Sequence, residues 1–113
     1  MSLLIQKHVN VNTPKVGDIL LCTTGYEASI AYWAVVVEVL AKRIKIQSVG
    51  ETRKYNGGGG MDWDSTVNIN EKYGPIETKA WKDSGNGYRV KHNSYSNYYK
   101  YTGNGTVSCY NHH

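Results

Sequence analysis

The sequence has no phenylalanine, only two cysteines and two prolines, and no long apolar run. Each shortage excludes something. Cys22 and Cys109 lie near opposite ends of the chain, and two cysteines are too few for the disulfide framework usual in a secreted domain of this size. Two reduced thiols in an intracellular setting are therefore expected. The longest apolar stretch, Ile30–Val37, falls well short of a membrane helix, which needs about 20 such residues. Leu3, Leu4 and Ile5 are followed at once by Gln6, Lys7 and His8, so no signal peptide is expected.

What the chain does have is ten tyrosines, three tryptophans and twelve glycines in 113 residues. That length fits one domain with one hydrophobic core. Tyr and Trp join an apolar body to a polar tip, which suits half-buried strand faces and wet binding surfaces. Net charge is +4. Between Lys79 and Lys100, Lys79, Lys82, Arg89, Lys91 and Lys100 are opposed only by Asp83, so this segment carries the whole excess. Such a patch either attracts anions or is a solvated strand face.

Residues 1–14 read as an arm ending at Pro14, and residues 15–113 as a single domain. Asp18–Thr23 predicts a first strand, and Thr24–Ser29 a loop. In Tyr32–Leu40, Trp33, Val35, Val37 and Val39 alternate with Tyr32, Ala34, Val36, Glu38 and Leu40. Both faces are largely apolar, which predicts a central strand. The β-branched run Val35–Val37 argues against a helix. Arg43–Val49 should complete a hairpin, with Trp33, Val35, Val37, Ile44 and Ile46 in one core layer. Gly50–Met61 reads as a long glycine-rich loop, mobile through Gly57–Gly60. Further short strands are expected at Thr66–Ile69, Ile76–Lys82, Tyr88–His92, Tyr95–Tyr101 and Thr106–Tyr110. Gly/Asn-rich turns separate them. About seven short strands make the fold mainly all-β: a small SH3-like β-barrel or a compact β-sandwich.

The order Val16-Gly17-Asp18-Ile19-Leu20, Thr24-Gly25-Tyr26-Glu27 and the hairpin Tyr32–Val49 resembles a group of small bacteriophage accessory proteins. That group opens with a "GDI" strand, a "GY-acidic" loop and a valine-rich strand. Gly87–Tyr95 is similar to its basic strand, and Cys109–His113 to its aromatic, histidine-bearing end. Thr24 stands where an aromatic residue is common, and Gly57–Gly60 lengthens the middle loop. The resemblance implies an SH3-like or similar small β-barrel. It also implies action in the cytoplasm of an infected bacterium, on host machinery or host defence.

Signs of catalysis are sparse. His112 and His113 adjoin Cys109 without the paired spacing of a structural zinc site. Cys22 sits in an apolar strand, where an inert thiol is usual. Asp62 and Asp64 flank Trp63 but lack a third ligand or a histidine. Gly57–Gly60 has no Lys-Ser/Thr after it, as a phosphate loop would. No enzyme activity, metal or cofactor is therefore expected. Binding is the better reading, because aromatic and basic residues interleave from Trp81 to Tyr101. Rings stack on bases while Lys and Arg neutralise phosphates, although alternation turns half of these rings inward. The candidate binding residues are Tyr26, Glu27, Trp63, Arg89, Lys91, Tyr95 and Tyr98. The expected partner is an anionic small molecule of nucleotide type or a nucleic acid, with no membrane. The alternative is a protein-binding inhibitor of a host factor, docking through the Tyr26 loop and exposed tyrosines.

Overall fold

The computed structural model describes residues 13–25, 28–56, 62–85, 87–93 and 96–111. Seven strands run in chain order: β1 Ile19–Gly25, β2 Ala28–Val39, β3 Arg43–Tyr55, β4 Asp62–Asp83, β5 Tyr88–Lys91, β6 Asn97–Lys100 and β7 Thr106–Asn111. They form one antiparallel sheet that closes partly on itself. β1 pairs with β6, β6 with β5, β5 with β4, β4 with β3 and β3 with β2, and β2 returns to β1. β7 lies outside that cycle and bridges β2 to the start of β4.

Strand alternation sends neighbouring side chains to opposite faces, and here both faces are covered. Inside the cycle, Leu20, Cys22, Ala34, Val36, Ile44, Ile46, Tyr88, Val90 and Tyr98 form one buried cluster, with Trp81 packed against it. On the other face, Ala31, Trp33, Val35, Val49, Trp63 and Cys109 form a second, with Leu21, Val37 and Tyr101 at its margin. The β1–β2 hairpin therefore walls both clusters, which is why Tyr32–Leu40 is apolar on both sides. The single layer expected for Trp33, Val35, Val37, Ile44 and Ile46 is thus split. Val36 pairs with Ile46 and Val39 with Ile44, so the two isoleucines share the face of Ala34 and Val36. Trp33, Val35 and Val37 point the other way.

Three boundaries also differ from expectation. The segment Gly50–Tyr55 is strand rather than loop, continuing β3 against β4 from Gly50↔Asn68 to Tyr55↔Trp63. Thr24 and Gly25 belong to β1, and Ala28 and Ser29 to β2. The two short strands expected at Thr66–Ile69 and Ile76–Lys82 are parts of β4. Its register against β3 jumps twice. Ile46 pairs with Glu77 but Ser48 with Tyr73; Val49 pairs with Lys72 but Gly50 with Asn68. The inserted residues bulge outwards, and Ile69, Tyr73 and Ile76 are exposed there. Gly74 turns at φ +74°, and Pro75 sits where no ladder donor is needed. Such bulges bend a strand, so Trp81 packs on the first cluster while Trp63 reaches the second. The glycine run Gly57–Gly60 and most of the N-terminal arm lie outside the described residues.

Candidate functional site

The C-terminal part of β4 and strands β5 and β6 make a ladder with one buried and one open face. Trp81 pairs with Val90, and Val90 with Tyr98; this row faces the core. The rows beside it face out. In one, Lys82 pairs with Arg89 and Arg89 with Tyr99; in the other, Lys91 pairs with Asn97. A tight turn sets this register. Asp83 Oδ1 accepts from the Gly85 amide at 2.7 Å, and the Ser84 amide donates to the Gly87 carbonyl at 2.9 Å. Gly85 takes φ +93°, a conformation natural to glycine. Asn93 holds the next turn, with Oδ1 accepting from the Ser96 amide and hydroxyl, both at 3.0 Å.

Ala80, Lys82, Arg89, Lys91 and Asn97 line a cleft of about 350 Å³ on this face. Lys82 and Lys91 are exposed and Arg89 is half-buried. Among the described residues, the ion pairs are Lys45–Glu38 at 3.3 Å, Arg53–Glu51 at 3.0 Å and Lys79–Glu77 at 3.6 Å. None involves Lys82, Arg89 or Lys91. Tyr99, 49% exposed, stands beside Arg89 in the same row. Ser84, Gly87, Tyr88, Tyr99 and Lys100 line an adjoining hollow of about 320 Å³.

No family model, curated protein or solved structure matches the chain.

The candidate residues therefore stand on this geometry. Arg89 and Lys91 share the outer face of β5, with Tyr88 and Val90 turned inward, as alternation requires. Tyr98 is a core residue, 5% exposed. Its ring meets His92 edge-on at 4.8 Å, and His92 in turn stacks on Tyr32 at 5.5 Å. Burial, reinforced by the nearby Cys22, pushes the Tyr98 hydroxyl up to about 12. Tyr26, Glu27 and Tyr95 lie outside the described residues. Lys82 and Tyr99 complete the outer row although pattern alone did not single them out. The signal was present in the turn at Asp83–Gly87, because a hairpin there makes Lys82 the mate of Arg89.

Trp63 sits elsewhere, in the second cluster at 3% exposure. The Arg53 guanidinium lies 4.3 Å from the centre of its ring. A polar chain runs beside it: Trp33 Nε1 donates to Ser65 Oγ at 2.9 Å, the Ser65 hydroxyl donates to Glu51, and Arg53 Nε donates to Glu51 at 3.0 Å. A hydrogen bond with Tyr55 raises the Arg53 pKa further. This cluster borders a cleft of about 450 Å³ lined by Tyr32, Trp33, Gly50, Glu51, Arg53 and Tyr73, among others. Its cation and carboxylate neutralise each other, so it offers an ionic ligand less than the β4–β6 face does. Asp64 accepts from Asn56 at 3.2 Å and from Ser108 at 3.5 Å. Among the described residues, no three His, Cys, Asp or Glu side chains converge as a metal site. Cys22 and Cys109 are buried free thiols, and burial raises the Cys109 pKa.

Proposed function

We propose that this protein is a non-enzymatic binding protein whose β4–β5–β6 outer face takes an anionic ligand, of nucleotide type or a nucleic acid. One observation carries the reading: Lys82 and Arg89 are paired across the ladder, Lys91 is next along, and none forms an ion pair with an acidic side chain among the described residues. Like charges directly opposite in a sheet are destabilising, and a bound phosphate would relieve that repulsion while gaining charge-assisted hydrogen bonds. The resemblance to phage accessory proteins supplies the setting in this reading, the cytoplasm of an infected bacterium, where the ligand belongs to host metabolism or host defence.

The test is binding to nucleotides, cyclic dinucleotides and single-stranded DNA at low and physiological salt. Parent affinity should fall steeply as salt rises. The Arg89→Glu/Lys91→Glu variant should lose most of the binding while keeping its circular dichroism spectrum, since the half-buried Arg89 and the exposed Lys91 both leave the outer face of β5, and surface substitutions usually move stability by no more than about 0.5 kcal/mol. A parent that binds nothing on the panel, or a variant that binds as well, would overturn the reading. The second reading, a protein-binding inhibitor of a host factor, would then take its place. It is favoured by Tyr55 and Tyr73, exposed at 51% and 55% on β3 and β4.

A further inference from the structure

We infer that the β4–β5–β6 face reads linked phosphates, a diphosphate or triphosphate group, and that this group sits over Ala80. The inference rests on the anionic-ligand reading and deepens it. Ala80 lines the cleft of about 350 Å³ together with Lys82, Arg89, Lys91 and Asn97. Its place in the sheet brings a fourth cation to the same spot. Arg43 of β3 pairs with Ala80, and paired residues leave a sheet on the same side. Arg43 is exposed, while its neighbour Ile44 is buried in the first cluster, so Arg43 faces out with the other three. On the opposite side of Ala80, the ladder Trp81↔Val90 continued by one step sets Lys91 across from it. Arg43 and Lys91 thus flank Ala80 across the strands, each with its Cβ about 5 Å away. Lys82 follows two residues along β4, a separation of about 7 Å. Among the described residues, none of these four cations forms an ion pair. Glu38, in the row beside Arg43, is held by Lys45 at 3.3 Å.

Two features define the ligand. The first is the alanine itself. Ala80 is exposed on a strand, a position that favours β-branched and aromatic side chains. Its single methyl group leaves open the space that the long cationic side chains surround. The second feature is charge. A terminal phosphate carries about −1.5 to −2 at neutral pH, too little to offset four cations held this close. Each further linked phosphate adds negative charge beside the first, and Arg43 and Arg89 can each bind two of its oxygens through a planar fork. A diphosphate or triphosphate therefore supplies the missing charge in one compact group. Such a group occurs on free nucleotides and at the 5′ end of a nucleic acid strand, and its chemistry at this site is the same in both.

Calorimetric titration in buffer free of divalent cations tests the inference. The probes are adenosine mono-, di- and triphosphate, inorganic tripolyphosphate, and a thymidine hexamer ending in either a 5′-hydroxyl or a 5′-triphosphate. Affinity should rise with each added phosphate, and tripolyphosphate should displace adenosine triphosphate. The triphosphate-ended hexamer should bind more tightly than the hydroxyl-ended one. Whichever of adenosine triphosphate and the triphosphate-ended hexamer binds more tightly identifies the source of the group. Arg43→Gln should weaken adenosine triphosphate about tenfold, the scale of one lost charge-assisted contact, and the monophosphate much less. Ala80→Val should melt no lower than the parent, because valine favours strands, yet it should bind the triphosphate more weakly by filling the space. A monophosphate bound as tightly as the triphosphate, or equal binding of the two hexamers, would overturn the inference and leave the anionic-ligand reading standing. So would a triphosphate affinity unchanged in Ala80→Val or in Arg43→Gln. Failure of every probe would remove both.

Discussion

Single side chains fix the depth at which each strand sits. Tyr88 is fully buried, yet its hydroxyl reaches Asp18 at 2.7 Å, and Asp18 also accepts from the Lys15 amide at 2.9 Å. One aromatic residue on β5 thus ties the turn before β1 to the core. Ser65 plays the same part in the second cluster, accepting from Trp33 and donating to Glu51. Ser65→Ala would leave the Trp33 indole N–H buried with no acceptor, a loss of about 1–3 kcal/mol. Chemical denaturation should show that loss, and an unchanged midpoint would mean the bond contributes nothing. Nothing in the sequence announces this pairing, because Trp33 and Ser65 are 32 residues apart and meet only once β3 and β4 have bent. Arg89 and Lys91, by contrast, were legible: a two-residue spacing on a short strand fixes a common face.

At the scale of elements, the β2–β3 hairpin and strands β5 to β7 follow from alternation and turn chemistry. The long, bulged β4 does not. Its middle, from Asn70 to Thr78, is exposed throughout, so it lacks the apolar alternation by which a strand is read. Its pairing with β3 holds it in the sheet. The ladder of β4, β5 and β6 carries a prediction of its own. Arg89→Glu alone would turn the Lys82–Arg89 repulsion into an attraction, and cross-strand charge pairs are worth about 0.2–1 kcal/mol. That variant should therefore melt a few degrees higher than the parent while binding anions less well. A lower melting temperature would show that the two cations do not strain the ladder.

The whole molecule should respond to alkali through two buried tyrosines, Tyr88 and Tyr98. Burial, then the Asp18 carboxylate, raises the Tyr88 pKa above its ordinary value, and burial holds Tyr98 at about 12. In the unfolded chain both titrate near 10. Below about pH 10 the two states bind the same protons, and stability is at its full value. Between about pH 10 and 12 the unfolded chain gives up protons that the folded one keeps, so stability falls as pH rises. Denaturation midpoints followed across that window should decline, and less steeply in Tyr98→Phe; equal slopes would exclude Tyr98 as a source. The doubly covered β1–β2 hairpin has another consequence. Its side chains belong alternately to two clusters, so neither cluster can come apart without exposing the back of the other. The protein should behave as a single cooperative unit, and a change of side-chain volume in β2 is transmitted to both sides. Sequence drift is then confined to the outer rows of the ladder, where a binding surface can change its specificity without disturbing the framework.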